Sequence, residues 1–160
     1  MKNASSTVAV ILLLAVSALA QVGTPNFSGN WTLDLAKSDF GPAPPPDSVV
    51  MTIDHKEPTL KSTTTQKTQQ GDATNDSTIT TDGKENVNKQ RAGGIDSDVK
   101  STSKWSGKKL TTARVLEFQG MSIGMNDAWD LSADGKVLTI VRQVNTAQGN
   151  FSTTMVFNKK

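Results

Sequence analysis

The feature that most constrains this chain is a turn. Ser132-Ala133-Asp134-Gly135-Lys136 separates two stretches, Asp127–Leu131 and Val137–Val144, that each carry residues suited to strand pairing. Gly takes a positive φ without steric cost and Asp tolerates it, so Asp127–Val144 is a β-hairpin by its own chemistry. The same tripeptide recurs at Asp82-Gly83-Lys84. A looser echo joins Trp105, a Gly-Lys turn and Leu110-Thr111 to Trp129, the Asp-Gly-Lys turn and Leu138-Thr139. This is one hairpin design used again and not a solenoid, because no period runs through three units.

The rest of the chain divides in the same way. Phe27–Asp34 forms a first strand with Trp31 and Leu33 on one face, and Ala36–Asp39 has room for one helical turn. Gly41–Asp47 holds Pro42, Pro44, Pro45 and Pro46, which cannot donate to a ladder, and is expected to cross one end of the sheet. In Ser48–His55, Val49, Met51 and Ile53 alternate with polar residues, as a half-buried strand requires. Further strands are expected at Thr59–Gln69, Ala73–Thr80, Ser97–Trp105, Leu110–Gln119, Ser122–Leu131 and Phe151–Asn158, and Asn86–Asp96 is expected to be a mobile loop. No segment suits a long amphipathic helix. The fold class is all-β: a single antiparallel up-and-down β-barrel, or a strongly curved meander, of about eight to ten strands, in which closure would remove the exposed edges.

Residues 1–20 carry Lys2, the apolar run Val8–Leu14 and the small-x-small site Ala18-Leu19-Ala20, the pattern of a secretory signal. The chain is therefore expected to be exported, to periplasm or exterior, after cleavage near Ala20, with no integral membrane segment in the mature part. Residues 21–160 then form one domain. Loss of Lys2 from the 17 Lys and Arg leaves a net charge of +1 against 15 Asp and Glu, too little for a nucleic-acid partner. With no Cys in the chain there is no disulfide framework, so the barrel must be held by its core. A monomer is expected.

Phe27-Ser28-Gly29-Asn30-Trp31 places a Gly-x-Trp on the first strand, and Trp129-Asp130-Leu131-Ser132 leads into the late Asp-Gly-Lys turn. With these two motifs the chain resembles the lipocalin and calycin group of small β-barrels, and more closely the exported bacterial proteins described as lipocalin-like. The likeness spans most of residues 26–158. It implies a barrel whose interior holds a small apolar or amphipathic molecule. Departures from the pattern are the missing disulfide, the missing C-terminal helix and the nearly wholly polar stretch Thr59–Thr80.

Arg114 shares a face with Leu110, Leu116 and Phe118, and Arg142 shares one with Leu138, Ile140 and Val144. If those faces line the interior, two guanidiniums point inward and need partners. A ligand carboxylate would serve, held bidentately, as in the fatty-acid-binding relatives that the resemblance brings in. Three other arrangements compete: an internal Asp or Glu, an Arg packed over Trp31 as lipocalins have at the barrel base, or the opposite faces turned inward. The candidate binding set is Arg114, Arg142, Phe118, Trp129, Leu116 and Ile140. Catalysis has little support. His55 is the sole His and is expected to be a solvated strand-end residue, and without Cys no His/Cys zinc site can form. Asp127 and Asp130, three apart on a strand, face opposite ways and do not make an acid pair. No enzyme activity and no cofactor are expected. The function read from these residues is small-molecule binding. The alternative is a structural or interaction domain with a filled core, acting through loops such as Pro42–Pro46 and Asn86–Asp96.

Overall fold

Ten antiparallel strands roll into a nearly closed barrel. The computed structural model describes residues 23–69, 71–92, 95–118 and 120–160, so the expected signal segment lies outside the described residues. The strands are β1 (Gly29–Leu33), β2 (Ser48–Lys56), β3 (Thr59–Thr68), β4 (Gly71–Thr80), β5 (Asp82–Ala92), β6 (Ile95–Ser106), β7 (Lys109–Phe118), β8 (Met121–Leu131), β9 (Val137–Thr146) and β10 (Gly149–Lys159). Their order in the sheet is β4-β3-β2-β1-β10-β9-β8-β7-β6-β5, which is sequence order wrapped so that β1 pairs with β10. Among the described residues the only helical element is a 3₁₀ turn at Leu35–Lys37, close to the turn expected at Ala36–Asp39.

The late hairpin forms as its sequence dictates. Gly135 sits at φ 69° and donates its N–H to the Ser132 carbonyl at 2.8 Å. Asp134 accepts from the Ser132 hydroxyl at 2.6 Å and from the Lys136 amide at 3.1 Å, which fixes the reversal locally. The second Asp-Gly-Lys behaves differently. At Asp82–Lys84 the chain passes from β4 to β5, which share no ladder, and the tripeptide makes a register shift on β5 against β6. The segment Asn86–Asp96, expected to be a loop, belongs mostly to β5 and β6. Its polar residues gave no alternating signal because the barrel wall they face is polar as well.

One end of the barrel is packed with aromatic side chains. Phe27, fully buried, stacks on His55 and Trp105 with ring centroids 5.7 and 5.8 Å away, and meets Trp129 edge-on at 5.7 Å. The segment before β1 is tied down around His55. Asn26 and Ser28 donate to the His55 carbonyl, the Ser28 hydroxyl accepts the His55 amide, and the Phe27 amide donates to Nδ1. With Nδ1 accepting, Nε2 carries the ring proton toward Glu57 Oε1, 3.0 Å away. His55 is thus buried and paired, not solvated as expected, because alternation from Ile53 carries it to the inner face. Trp31 donates its indole N–H to the Phe27 carbonyl at 2.9 Å. Its ring is covered by Lys159, whose ammonium lies 5.3 Å from the centroid, so a lysine from β10 does what an inward arginine was considered for. Gly29, at φ 142°, admits that lysine: a Cβ there would collide with Lys159 Cε.

Beyond β1 the chain runs alongside β10, bridging Asp39 to Thr154, before the Pro-rich segment carries it across to β2, where the Asp47 amide meets the Lys67 carbonyl. Between the sheet's two edges, β4 and β5, side chains replace the ladder. Asn88 donates to the Thr78 carbonyl at 2.9 Å and accepts the Thr78 amide at 2.8 Å. Asn75 accepts the Arg91 amide at 2.8 Å, and Asn86 donates to Thr80 Oγ1 at 3.1 Å.

Two predictions follow from this packing. Phe27→Ala empties the aromatic end and should lower unfolding free energy by about 3–5 kcal/mol, measured by urea denaturation. Asn88→Ala should cost only about 1–2 kcal/mol. It should also speed hydrogen exchange of the Thr78 amide selectively, leaving the amides between β7 and β9 protected.

Candidate ligand-binding site

Alternation along β7, β8 and β9 turns three charged side chains inward. Leu110 and Thr112 are buried on β7, which places Arg114 and Leu116 on the same face. Trp129 and Asp127 do the same on β8, and Leu138, Ile140 and Arg142 on β9. Asp127 lies directly opposite Arg142 in the β8–β9 ladder, and Arg114 reaches it diagonally from β7.

The Asp127 carboxylate is wholly inaccessible and bound by both guanidiniums. Arg142 engages it bidentately, Nε to Oδ1 at 2.7 Å and Nη2 to Oδ2 at 3.0 Å, while Arg114 Nη2 meets Oδ2 at 2.9 Å. Burial by itself would raise the Asp127 carboxyl. The charges of Arg114 and Arg142, the Arg142 hydrogen bonds and a weaker approach of the Trp129 indole outweigh it and hold the group below the usual Asp value. That indole N–H inclines toward the carboxylate without reaching full hydrogen-bond geometry. At Arg114, burial is the largest influence and, with the nearby Arg142 charge, lowers the guanidinium despite Asp127. At Arg142, burial again acts downward, but Asp127's charge and hydrogen bonds prevail and raise it. The cluster holds two cations against one anion, and about a quarter of each arginine side chain stays exposed.

That exposure faces a cavity of about 190 Å³ inside the barrel. Arg114, Arg142, Trp129 and Ile140 line it, with Met51, Leu60, Ile79 and Phe157 toward the aromatic end. Leu116 is half-buried on the same strand face as Arg114 but is not part of the lining, and the Phe118 side chain lies outside the described ones. The structure therefore brings four of the six candidate residues together. It also supplies the residue that sequence reasoning missed, Asp127. The signal was present: two residues before Trp129, it shares the inner face of β8.

A larger hollow, about 570 Å³, lies on the outside of β6–β9 and is bordered by short outward side chains such as Thr102, Ala113 and Ala128. It is an open concavity of the coiled sheet that no buried charge faces, since Asp127 contributes only its backbone there. Among the described residues no group of three or more His, Cys, Asp or Glu could hold a metal ion, and no helix is long and apolar enough to cross a membrane.

Fold and interior together define an antiparallel up-and-down β-barrel with a small, partly polar cavity and a net positive cluster on its wall. No family model matches the chain, and no curated protein does. Among solved structures, a secretary abundant heat soluble (SAHS) protein from Ramazzottius varieornatus is similar at a TM-score of 0.59 and 12% identity, over 86% of this chain and 98% of that one. Zebrafish ileal bile acid-binding protein, complexed with cholic acid, is similar at a TM-score of 0.51 and 21% identity, over 84% of this chain and 98% of that one. At these identities the likeness establishes the barrel fold.

Asp127→Ala leaves two guanidiniums buried without their anion and should cost about 3–5 kcal/mol of stability. The acid side gives a second check. Because the folded-state carboxyl is depressed, Asp127 contributes stability above its unfolded pKa of about 4 and loses it as pH falls below that value. The stability advantage of wild type over Asp127→Asn should therefore shrink on acidification through that range, as measured by thermal unfolding.

Proposed function

We propose that this chain is an exported, non-enzymatic binding protein that takes up a small amphipathic acid inside its barrel. Export rests on the signal pattern of residues 1–20, and a single-chain working state rests on a nearly closed barrel whose two edge strands face each other within one chain. The observation that carries the binding reading is the charge imbalance at the cavity wall. One carboxylate answers two guanidiniums, and in the low-dielectric interior the surplus charge favours a further anion. Arg142 commits Nε and Nη2 to Asp127, and Arg114 commits Nη2, which leaves guanidinium N–H groups for a ligand carboxylate. Apolar side chains deeper in the cavity, Met51, Leu60 and Ile140 among them, would take the carbon skeleton.

The alternative is an interaction domain with a filled core, and one observation favours it. The cavity is smaller than the roughly 300–1,000 Å³ of ordinary ligand sites. Calorimetric titration with a series of acids from butyrate to dodecanoate, and with the matching alcohols, separates the two. Binding of acids but not alcohols is expected. Arg114→Met should weaken it about tenfold or more with little loss of stability, because the bidentate Asp127–Arg142 pair remains. Unchanged affinity in that variant would sink the role given to the arginines, and no binding by any acid would favour the filled-core domain.

A further inference from the structure

The two walls of the cavity differ in chemistry. Beside the arginines, Ile140 of β9 and Met155 of β10 give an apolar surface. The facing wall carries Ser62 and Thr64 of β3, Ser77 of β4 and Gln90 of β5, none of which has a side-chain hydrogen-bond partner among the described residues. Ser101 of β6 stands directly opposite Arg114 in the ladder, is 4% exposed and lines the same space. Its Oγ is buried and unpaired among the described residues, unlike Ser103 two positions on, which shares a hydrogen bond with Thr112 at 3.0 Å. Buried hydroxyls are ordinarily paired, and the group that can reach this one is whatever occupies the cavity beside the guanidiniums.

Building on the binding reading above, we infer that the preferred ligand is a compact polyhydroxylated acid, held more tightly than an alkyl acid. Its carboxylate meets Arg114 and Arg142, hydroxyls along one side meet Ser101 and the polar wall, and the bare carbon face lies on Ile140 and Met155. A purely alkyl skeleton would strip water from the hydroxyl and amide groups of that wall and return no hydrogen bond. A site built to bond hydroxyls rejects the analogue that lacks them far more strongly than an apolar pocket rejects a size change. A cavity near 190 Å³ also suits one substituted ring better than a long chain.

Quinate and cyclohexanecarboxylate share a carbon skeleton and differ in hydroxyls, and myo-inositol has the hydroxyls without the acid. Calorimetric titration of the purified protein should show quinate binding at least about tenfold more tightly than cyclohexanecarboxylate, with no binding of myo-inositol. Ser101→Ala removes a hydroxyl that has no partner in the fold, so its melting temperature should stay at the wild-type value. Its affinity for quinate should fall about tenfold while that for cyclohexanecarboxylate stays fixed. Equal or tighter binding of cyclohexanecarboxylate overturns the hydroxyl inference and leaves the acid-binding reading standing, as does binding of alkyl acids such as decanoate without either ring. Failure of every acid to bind overturns both. Equal loss of both ring acids in Ser101→Ala would show a structural and not a recognising hydroxyl, and would also overturn the inference.

Discussion

A guanidinium turned into a barrel cannot remain without an anion, and here two of them depend on one carboxylate. The period of two along a strand leaves no latitude: once Leu110 and Leu138 face the core, Arg114 and Arg142 must follow them inward. Asp127, on the strand between, is the side chain that makes this tolerable. It sits at a level where the aromatic end gives way to the cavity. The cluster is therefore both the polar limit of the core and the positive wall of the space beyond it.

The aromatic end shows how few large side chains a small barrel needs when they are concentrated. The chain has 3 Trp, 5 Phe and no Tyr. All three Trp, together with Phe27 and Phe157, gather at one end, with His55 supplying a further ring. Glu57 joins this layer from the rim. Partial burial would raise its carboxyl, but hydrogen bonds from Thr81, Trp105 and His55 prevail and lower it. Residues 26–28 become part of the floor, so the segment ahead of the first strand is structural even though it pairs with no sheet neighbour.

Much of the architecture was legible from turn chemistry and alternation: strands, late hairpin and up-and-down order all rest on local signals. The errors arose where a local signal was silent or shared. Asn86–Asp96 read as a loop because Asn, Lys and Gln on both faces hide the alternation of a strand. His55 read as solvated because it ends its strand, whereas its parity with Ile53 places it inside. For the site, parity brought Arg114 and Arg142 to the right face but could not choose among their partners. Asp127 against Arg142 is a question of register between β8 and β9, and Lys159 over Trp31 one of register between β1 and β10. Such registers are set by the sheet as a whole and are written in no single segment.

The seam between β4 and β5 has a consequence for how the ring is specified. Thr80 meets Asn86, Thr78 meets Asn88 and Asn75 meets Arg91, so the two edges keep step as an antiparallel pair although no main-chain ladder joins them. Elsewhere in the barrel any sequence with the right parity could form the same backbone bonds. Here the alignment is spelled out by the positions of three asparagines, each reaching the distance that a backbone amide would not. The alignment of the barrel's seam is thus carried by amide side chains, along a single line of positions apart from the nine true ladders.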